Sequence, residues 1–329
     1  MKVAVIGAGA WGTTLANTLA KKGLDTHLLV REQELCNEMK ETGYNSVFLP
    51  SCRLCDDLQC DSNPEKVLKD AKYYILVVPS QFMRDSLARI KPYFPHNPAV
   101  ICASKGIELN TGAPMSQVVH EALDGLTPRY GHISGPTFAY ELSAELPTSI
   151  VLGCEDEKLA REVQALFSTS YLRVYTNPDF RGVELGGAIK NIMAIAAGMA
   201  DGLKFGHNAR AALITRGIAE MSRLGVAMGA KASTFMGLSG MGDLVLTCTG
   251  DLSRNRQVGL KLGQGMKLSE ILKMRMVAEG VKTTESVHFL AKKLGVEMPI
   301  TEQVYRILYE DKDPAQAVCD LMTRDLTCE

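Results

Sequence analysis

Residues 2–12 read KVAVIGAGAWG, a short apolar run that ends in a G-x-G-x-x-G pattern formed by Gly7, Gly9 and Gly12. A strand followed at once by such a turn and a helix is the arrangement that binds dinucleotides, because the turn brings phosphates to the free N–H groups at the helix start. In that arrangement Gly7 permits the tight turn, Gly9 lets the backbone approach the pyrophosphate, and Gly12 lets helix and strand pack closely. The stretch therefore predicts a dinucleotide-binding fold.

Outward from this turn, short apolar runs alternate with helical stretches through the first half of the chain. Runs of strand length occupy residues 2–6, 26–30, 73–78, 99–102, 149–153 and 172–175. Helical patterns cover residues 13–22, 64–70, 81–90 and 157–167. Strands that alternate with helices predict a parallel sheet with helices on both faces.

The pattern changes after Pro178, where Ala-, Met- and Leu-rich stretches at helical spacing replace the strand runs. Glycines near positions 202, 225, 250, 265 and 295 interrupt these stretches, and Pro299 and Pro314 stand where helices are expected to begin. We therefore predict an α/β Rossmann-type domain over residues 1–179 and an all-helical substrate domain over residues 180–329.

Composition excludes several classes of protein. The chain has 329 residues with 36 Lys and Arg against 37 Asp and Glu, a formal net charge of −1, and a mean hydropathy of 0.00. These values are typical of globular protein, and they disfavour a nucleic-acid or acidic-membrane partner, which would select a basic excess. No uninterrupted apolar run has the roughly 18 residues that a spanning helix needs, so no membrane span is predicted.

Cysteine usage indicates the compartment. Nine cysteines at irregular spacing, with no export signal before them, predict reduced thiols in the cytoplasm. The cluster Cys52, Cys55 and Cys60 lacks a nearby fourth Cys or His, so no structural metal is expected there.

A lysine interrupts an otherwise apolar helical stretch at residues 184–203, ELGGAIKNIMAIAAGMADGL. Lys190 and Asn191 share one helical face with small residues, namely Gly187, Ala194, Ala197 and Gly198. Such a face would let a planar ligand approach the backbone, and a desolvated lysine with a lowered pKa suits proton transfer. The alternative is a lysine that extends its ammonium to the surface.

A second polar cluster follows at residues 235–257. Asp243 and Thr247 are four residues apart, hence on one face of a helix. Ser253, Arg254 and Asn255 come after a Gly-Asp turn where a new helix is expected, so a Ser cap, an Arg fork and an amide could together bind a phosphate. The alternative is an ordinary capped surface helix with a solvated arginine.

Two further positions lie where parallel strands end, the edge at which α/β proteins bind ligands. Lys105 follows the run at residues 99–102. Arg31 and Glu32 follow the second run: the arginine suits the 2′-phosphate of NADP, whereas the glutamate would bind the free ribose of NAD. The sequence slightly favours NADP and leaves NAD open.

These motifs resemble, nearly end to end, the bacterial-type NAD(P)-dependent sn-glycerol-3-phosphate dehydrogenases. The resemblance rests on GAGAWGTTLA at the start, NSVFLP from Asn45, ASKGIE around Lys105 and SGPTFA from Ser134. It continues with GAIKNIMAIAAG around Lys190, GMGDLVLTCTGDLSRNR and VAEG. Two departures are visible: Ala10 replaces a common serine, which removes a phosphate contact, and Ser51 replaces a glycine.

The resemblance implies hydride transfer between a nicotinamide and dihydroxyacetone phosphate or sn-glycerol 3-phosphate, a reaction that supplies the glycerol backbone of phospholipids. It implies that Lys190 is the catalytic proton-transfer residue, with Lys105, Asp243 and Thr247 around the reacting carbons. The triose phosphate would contact Gly135, Thr137, Ser253, Arg254 and Asn255. The cofactor would contact Gly7, Gly9, Ala10, Trp11, Gly12, Arg31, Phe48, Lys105, Ala139, Arg254, Val277 and Glu279.

In this interpretation, the positive charges of Lys105 and Arg254, together with burial, lower the pKa of Lys190, while Asp243 opposes that shift and orients the ammonium. Two alternatives remain. Other dehydrogenases, such as 3-hydroxyacid and ketopantoate-type enzymes, share the two-domain layout and a mid-helix lysine, and a non-catalytic nucleotide-sensing module could keep the fold. The apolar helical domain is also compatible with a homodimer.

Overall fold

A computed structural model describes residues 1–274 and 278–326. Its chain divides into two compact units: the first combines Met1–Lys105 with Ala113–Glu184, and the second combines Gly106–Gly112 with Leu185–Glu329. The boundary predicted after residue 179 lies a few residues before this division. Nothing in the sequence pattern predicts that the short segment Gly106–Gly112 belongs with the helical unit.

The first unit is built on an eight-stranded sheet in the order β10-β9-β8-β7-β6-β1-β2-β5, beside a two-stranded hairpin of β3 and β4. The strands are β1 Lys2–Ile6, β2 Asp25–Leu29, β3 Tyr44–Asn45, β4 Leu49–Arg53, β5 Gln59–Asp61, β6 Tyr73–Leu76, β7 Ala99–Cys102, β8 Arg129–Ser134, β9 Thr148–Gly153 and β10 Leu172–Asn177. The helices are α1 Ala10–Lys21, α2 Gln33–Thr42, α3 Pro64–Leu68, α4 Met83–Ile90, α5 Met115–Ala122, α6 Ala139–Ser143 and α7 Glu157–Phe167.

The α/β prediction is confirmed, since each of the six predicted runs overlaps a strand, but the fully parallel sheet is wrong at one pair. β9 runs antiparallel to β8, with Ile133 opposite Leu152, whereas β10 and β9 are parallel to each other. The chain between β8 and β9 holds only the five-residue helix α6. That helix is about 7 Å long, shorter than a six-residue strand of about 20 Å, and β9 returns alongside β8 in the opposite direction.

The core of this unit lies on both faces of the sheet. Successive strand residues point to opposite faces, so Val3 and Val5 of β1 pack on one side while Ala4 and Ile6 pack on the other. Strands that are buried on both faces leave only their ends and the connecting loops to contact ligands.

The second unit is helical: among its described residues no strand occurs, as the sequence predicts. Its helices are the Leu185–Gly202 part of α8 (Phe180–Gly202), α9 Gly206–Ala227, α10 Asp243–Thr249, α11 Arg254–Gly263, α12 Leu268–Lys273, α13 Glu279–Leu294, α14 Pro299–Tyr309 and α15 Pro314–Met322. Pro299 and Pro314 begin α14 and α15, where a missing N–H costs nothing.

Helix α8 is the centre of the helical core. By length and composition alone it could cross a membrane, but its apolar window is entirely buried inside the protein. Its small residues serve packing. A Cβ on Gly198 would lie 2.0 Å from the carbonyl oxygen of Arg256, and a Cβ on Gly259 of α11 would lie 2.0 Å from that of Ile195. At Gly198 the prediction of space for a planar ligand is therefore wrong, because the backbone of α11 fills it.

The helix end predicted near Gly225 lies two residues later, because α9 ends at Ala227. Gly225 lies inside α9 and is buried. A Cβ there would lie 2.1 Å from the Cζ atom of Phe235, so this glycine makes room for an aromatic ring and does not end the helix.

Candidate functional site

The three glycines of the turn after β1 differ in what surrounds them. Gly7 has a φ of +113°, and a Cβ on it would lie 2.6 Å from the carbonyl oxygen of Val77. A Cβ on Gly12 would lie 1.9 Å from the carbonyl oxygen of Gly7. At Gly9 an added Cβ would meet no atom within 4 Å. The protein's own backbone requires the outer two glycines, whereas the middle one borders open space that a ligand can enter.

Helix α1 starts at this turn and lacks an internal cap. Gly9 is its N-cap residue and offers no side chain, and the first helical hydrogen bond runs from the N–H of Thr13 to the carbonyl of Gly9 at 2.9 Å. The N–H groups of Ala10, Trp11 and Gly12 thus precede the helical ladder. The helix dipole favours an anion there, and the first turn contains no acidic residue that would repel it.

The two residues predicted after β2 to select the cofactor are accessible to solvent. The side chain of Arg31 is 83% exposed, and its Nε donates a hydrogen bond to Glu32 Oε1 at 2.7 Å. Glu32 is the N-cap residue of α2. An ion pair between exposed neighbours contributes little stability, so binding of a ribose or its phosphate could replace it at small cost.

The β3–β4 hairpin carries Phe48, a residue that is 46% exposed. The Phe48 N–H donates to Oδ1 of the buried Asn45 at 3.0 Å. In the sequence Asn45 is only part of a family motif; the structure gives it contacts with both Phe48 and the glycine turn.

Predicted site residues meet at the carboxyl ends of β7 and β8. Lys105 Nζ donates to the carbonyl oxygen of Gly135 at 3.4 Å, and the hydroxyl of Thr137 donates to the same oxygen at 3.3 Å. Gly135 has a φ of +137°, a conformation that favours glycine. Ala139 begins α6, and its carbonyl oxygen accepts a hydrogen bond from Thr14 of α1 at 3.3 Å. The first unit thus groups Lys105, Gly135 and Thr137.

A buried polar group near this edge was not predicted from sequence. Glu184 accepts hydrogen bonds from Ser116 N at 2.7 Å and Ser116 Oγ at 2.8 Å, and burial raises its pKa to about 7. Burial, reinforced by the positive charge of Lys105, lowers the pKa of His132 to about 3. Its Nδ1 is 3.0 Å from the hydroxyl of Tyr130. The only hint of this buried glutamate in the sequence is that Glu184 is an acidic residue at the start of the apolar stretch 184–203.

In the second unit, Lys190 lies in a buried hydrogen-bonded cluster. Its Nζ donates to Asp243 Oδ1 at 2.8 Å and to Thr247 Oγ1 at 2.6 Å, and the lysine is only 6% exposed. The Thr247 hydroxyl donates to the carbonyl oxygen of Asp243 at 2.6 Å, which confirms that both residues share a face of α10. The alternative of a lysine extended to the surface is wrong, because Asp243, 1% exposed, holds the ammonium inside.

The polar residues at the start of α11 differ in how far they are buried. Ser253 is the N-cap residue, and its Oγ accepts a hydrogen bond from Arg256 N, as predicted. Arg254 is exposed. Asn255 donates to Asn191 Oδ1 and accepts from Gly280 N, both at 2.9 Å. The amide predicted to bind phosphate therefore also links α8 to the start of α13.

No sequence signal indicates that Arg256, two residues after Arg254, is buried and structural, yet the structure shows that it is. Its guanidinium contacts Asp201 Oδ2 at 2.7 Å and Asp251 Oδ1 at 2.7 Å. It thereby fixes the turn before Ser253 against the end of α8.

Two predicted cofactor residues lie at or just before the start of α13. Val277 lies outside the described residues. Glu279 is the first residue of α13 and is half-buried. Within residues 1–274 and 278–326, no group of three or more His, Cys, Asp or Glu side chains could hold a metal ion. Of the cysteines considered, Cys52 accepts a hydrogen bond from Asn17 Nδ2 at 3.6 Å, and burial raises the pKa of Cys60 to about 12.

Comparison with known proteins matches both units. A family profile described as NAD-dependent glycerol-3-phosphate dehydrogenase N-terminus covers residues 2–160, and its C-terminus counterpart covers residues 179–319. The chain belongs to this dehydrogenase family. It is 83% identical over 329 residues to the glycerol-3-phosphate dehydrogenase [NAD(P)+] of Maridesulfovibrio salexigens, and the match covers 100% of both chains. It is 62% identical over 330 residues to that of Solidesulfovibrio magneticus, again over 100% of both chains.

Solved structures give the same family and a more distant fold group. The crystal structure of glycerol-3-phosphate dehydrogenase from Coxiella burnetii matches with a TM-score of 0.94 and 41% identity, over 98% of this chain and 99% of that one. A ketopantoate reductase from Ralstonia eutropha has a TM-score of 0.59 and 16% identity, over 97% of this chain and 100% of that one. The second likeness concerns the fold alone.

Proposed function

We propose that this protein interconverts dihydroxyacetone phosphate and sn-glycerol 3-phosphate with NAD(P)H or NAD(P)+. The observation that carries the proposal is the buried Lys190–Asp243–Thr247 cluster, in a chain 83% identical to a glycerol-3-phosphate dehydrogenase [NAD(P)+]. A cationic side chain held inside an apolar helical core has little structural value on its own, because its desolvation is costly. Proton transfer to a substrate explains why it is there.

The glycine turn fits a dinucleotide, since Gly9 borders open space and the N–H groups at the start of α1 precede the helical ladder. When bound, the nicotinamide supplies or accepts a hydride at C2 of the substrate. The residues we propose to contact the cofactor are Gly7, Gly9, Ala10, Trp11, Gly12, Arg31, Phe48, Lys105, Ala139, Arg254, Val277 and Glu279. Whether NADP is preferred over NAD depends on Arg31 and Glu32.

Lys190 acts as the general acid in reduction. As the C2 carbonyl becomes an alkoxide, negative charge grows on its oxygen, and the Lys190 ammonium donates a proton to it. The Thr247 hydroxyl donates to the carbonyl of Asp243, so its lone pair faces Nζ, and the Asp243 carboxylate accepts a second N–H. Both partners fix the direction of the ammonium. In oxidation, neutral Lys190 removes the hydroxyl proton.

The substrate phosphate is bound mainly by Arg254, whose exposed planar fork matches a phosphate dianion. Ser253 and Asn255 flank it, and Asn255 is oriented by its bonds to Asn191 and Gly280. We assign Lys105, Gly135 and Thr137 to the same substrate, because the three meet at the carboxyl edge of the sheet, the usual ligand edge.

The product provides the glycerol backbone of phospholipids, so we place the reaction in lipid synthesis in the cytoplasm, with a small-molecule substrate and neither a nucleic-acid partner nor a membrane span. A homodimer stays a prediction.

A substrate panel with both cofactors tests the function. We expect fast NAD(P)H oxidation with dihydroxyacetone phosphate and little with ketopantoate or 3-oxoacids. Turnover of those acids instead would favour the related dehydrogenases. Nucleotide binding without turnover of any substrate would favour a sensing module.

A further inference from the structure

Helix α1 buries four polar side chains. Thr13, Thr14, Asn17 and Thr18 are all buried. Buried polar groups need hydrogen-bond partners, and here several partners come from the β3–β4 hairpin and the residues that follow it. Asn17 Oδ1 accepts from Cys55 N at 2.7 Å, and Thr13 contacts Asn45.

Asn45 uses both ends of its side-chain amide, and it is fully buried. Its Nδ2 donates to the carbonyl oxygen of Ala8 at 2.9 Å and to Thr13 Oγ1 at 2.8 Å. Its Oδ1 accepts the Phe48 N–H at 3.0 Å. A carbonyl oxygen only accepts and an N–H only donates, so the network fixes which end of the amide is which.

The bond to Ala8 has a consequence for the glycine turn. The carbonyl of Ala8 and the N–H of Gly9 belong to one planar trans peptide unit, in which they point in opposite directions. Because Asn45 holds the Ala8 oxygen, the Gly9 N–H points away from Asn45. Gly9 has no side chain that could oppose a rotation of this peptide. Its orientation therefore depends on the two donors to the Ala8 oxygen, Asn45 Nδ2 at 2.9 Å and Thr13 Oγ1 at 3.2 Å, and Asn45 also bonds to Thr13.

We propose that Asn45 is a positioning residue for the dinucleotide. It fixes the Ala8–Gly9 peptide in the orientation in which the Gly9 N–H serves as a donor to the pyrophosphate, and it sets the turn that presents Phe48. This inference rests on the proposed cofactor site. Asn45 itself contacts protein atoms and acts through Gly9 and Phe48.

The chain offers a matched control in Asn17. It is buried like Asn45, lies on α1 and bonds to the backbone N–H of Cys55 and the thiol of Cys52, but has no contact with Ala8 or Phe48 among its hydrogen bonds. Both Asn45→Ala and Asn17→Ala remove a buried amide and are expected to lower the melting temperature. Only Asn45→Ala is expected to change nucleotide binding.

The test is a titration of each purified variant with NADPH, followed by nucleotide fluorescence. We expect Asn45→Ala to raise the Kd for NADPH about 10- to 100-fold, because the Ala8 oxygen loses its shorter hydrogen bond and Thr13, its other donor, loses the amide that orients it. We expect Asn17→Ala to leave that Kd within about twofold of the wild type. At saturating NADPH, kcat and the KM for dihydroxyacetone phosphate should change little. An equal rise in Kd for both variants, or no rise for Asn45→Ala, would overturn the proposal.

Thr13→Val provides the second variant in case Asn45→Ala does not fold. It keeps the side-chain volume and removes the hydroxyl that Asn45 and Ala8 share. We expect the Kd for NADPH to rise about threefold to tenfold. An unchanged Kd would contradict the proposal that Asn45 and Thr13 position the Ala8–Gly9 peptide for the dinucleotide. Because the titration needs no turnover, a wild type that binds NADPH but does not reduce dihydroxyacetone phosphate would refute the proposed function and leave the role of Asn45 testable.

Discussion

The glycine turn of the first unit and the α10–α11 region of the second are both held in place by buried side chains, but by different kinds. Neutral hydroxyl and amide groups hold the glycine turn, through Asn45 and Thr13. Charged pairs hold the other region, through Lys190 with Asp243 and Arg256 with Asp201. A site that binds an anion through backbone N–H groups requires only that the peptide units keep their orientation, and neutral hydrogen bonds are enough for that. A site that must deliver a proton needs a buried charge, and such a charge is tolerated only when it is paired.

The comparison predicts that loss of charge in the second unit has the largest effect. We expect Lys190→Ala to lower kcat about 10²- to 10⁴-fold, because the general acid is lost, with an unchanged Kd for NADPH. Steady-state kinetics and NADPH titration measure the two quantities. Because the variant leaves Asp243 buried without its cation, Lys190→Met with Asp243→Asn serves as the stability control. A kcat near that of the wild type would contradict the assignment.

The next largest effect is expected at the phosphate. Arg254→Ala should lower kcat/KM for dihydroxyacetone phosphate about 30- to 5,000-fold, the range for removing one partner of a charge pair that the bound phosphate desolvates. Turnover of unphosphorylated dihydroxyacetone, already very poor, should barely change. Rates are compared at saturating cofactor, because Arg254 is also assigned to the cofactor.

Arg254→Lys should recover only part of the loss, since an ammonium supplies charge without the planar fork. If both substrates lost the same proportion of kcat/KM, Arg254 would shape the site generally and would not bind the phosphate.

In one respect the two units are alike, and this allows a test by pH. Each buries a glutamate at a helix start: Glu184 accepts from Ser116 N of α5, and Glu220 accepts from Ile300 N of α14. Burial raises both pKa values to about 7, above the ordinary value of 4.5. Between these two pH values the folded state keeps protons that the unfolded state releases, so the free energy of unfolding falls as pH rises from about 4.5 to 7 and is level above.

We expect Glu220→Gln to remove its share of this fall, about 3 kcal/mol for a shift of that size. Denaturant unfolding at pH 5 and pH 7.5 measures the difference between the wild type and the variant. An identical pH dependence in both proteins would show that Glu220 is ionised when folded and that its helix contacts outweigh burial.

The smallest expected effect is a charge change on the surface of the first unit. Arg31→Asp removes a partner for the 2′-phosphate and adds an acceptor for the ribose hydroxyls, so the ratio of kcat/KM for NADPH to that for NADH should fall about tenfold. kcat with either cofactor at saturation should stay close to the wild type. An unchanged ratio would mean that the end of β2 does not select the cofactor.

Features encoded within a few neighbouring residues were predictable. The sequence by itself determined the strand–turn–helix at Gly7 to Gly12, the capping of α11 by Ser253, and the helix starts at Pro299 and Pro314. The sequence also determined that Asp243 and Thr247 lie on the same face of α10. Each depends on conformational preferences or on hydrogen bonds that span at most four residues, so the local pattern carries the information.

Only the tertiary structure decided features that depend on partners far along the chain. The sequence singles out Arg254 beside the cap but does not show that Arg256 is buried, and Asp201, more than fifty residues away, turns Arg256 inward. Asn45 matters because the hairpin returns to Ala8, and Gly198 is needed because α11 packs on α8. The antiparallel direction of β9 depends on how it pairs with β8, which its own apolar run does not show. Burial and long-range pairing set these outcomes, and neither can be inferred from the residue type and its immediate neighbours.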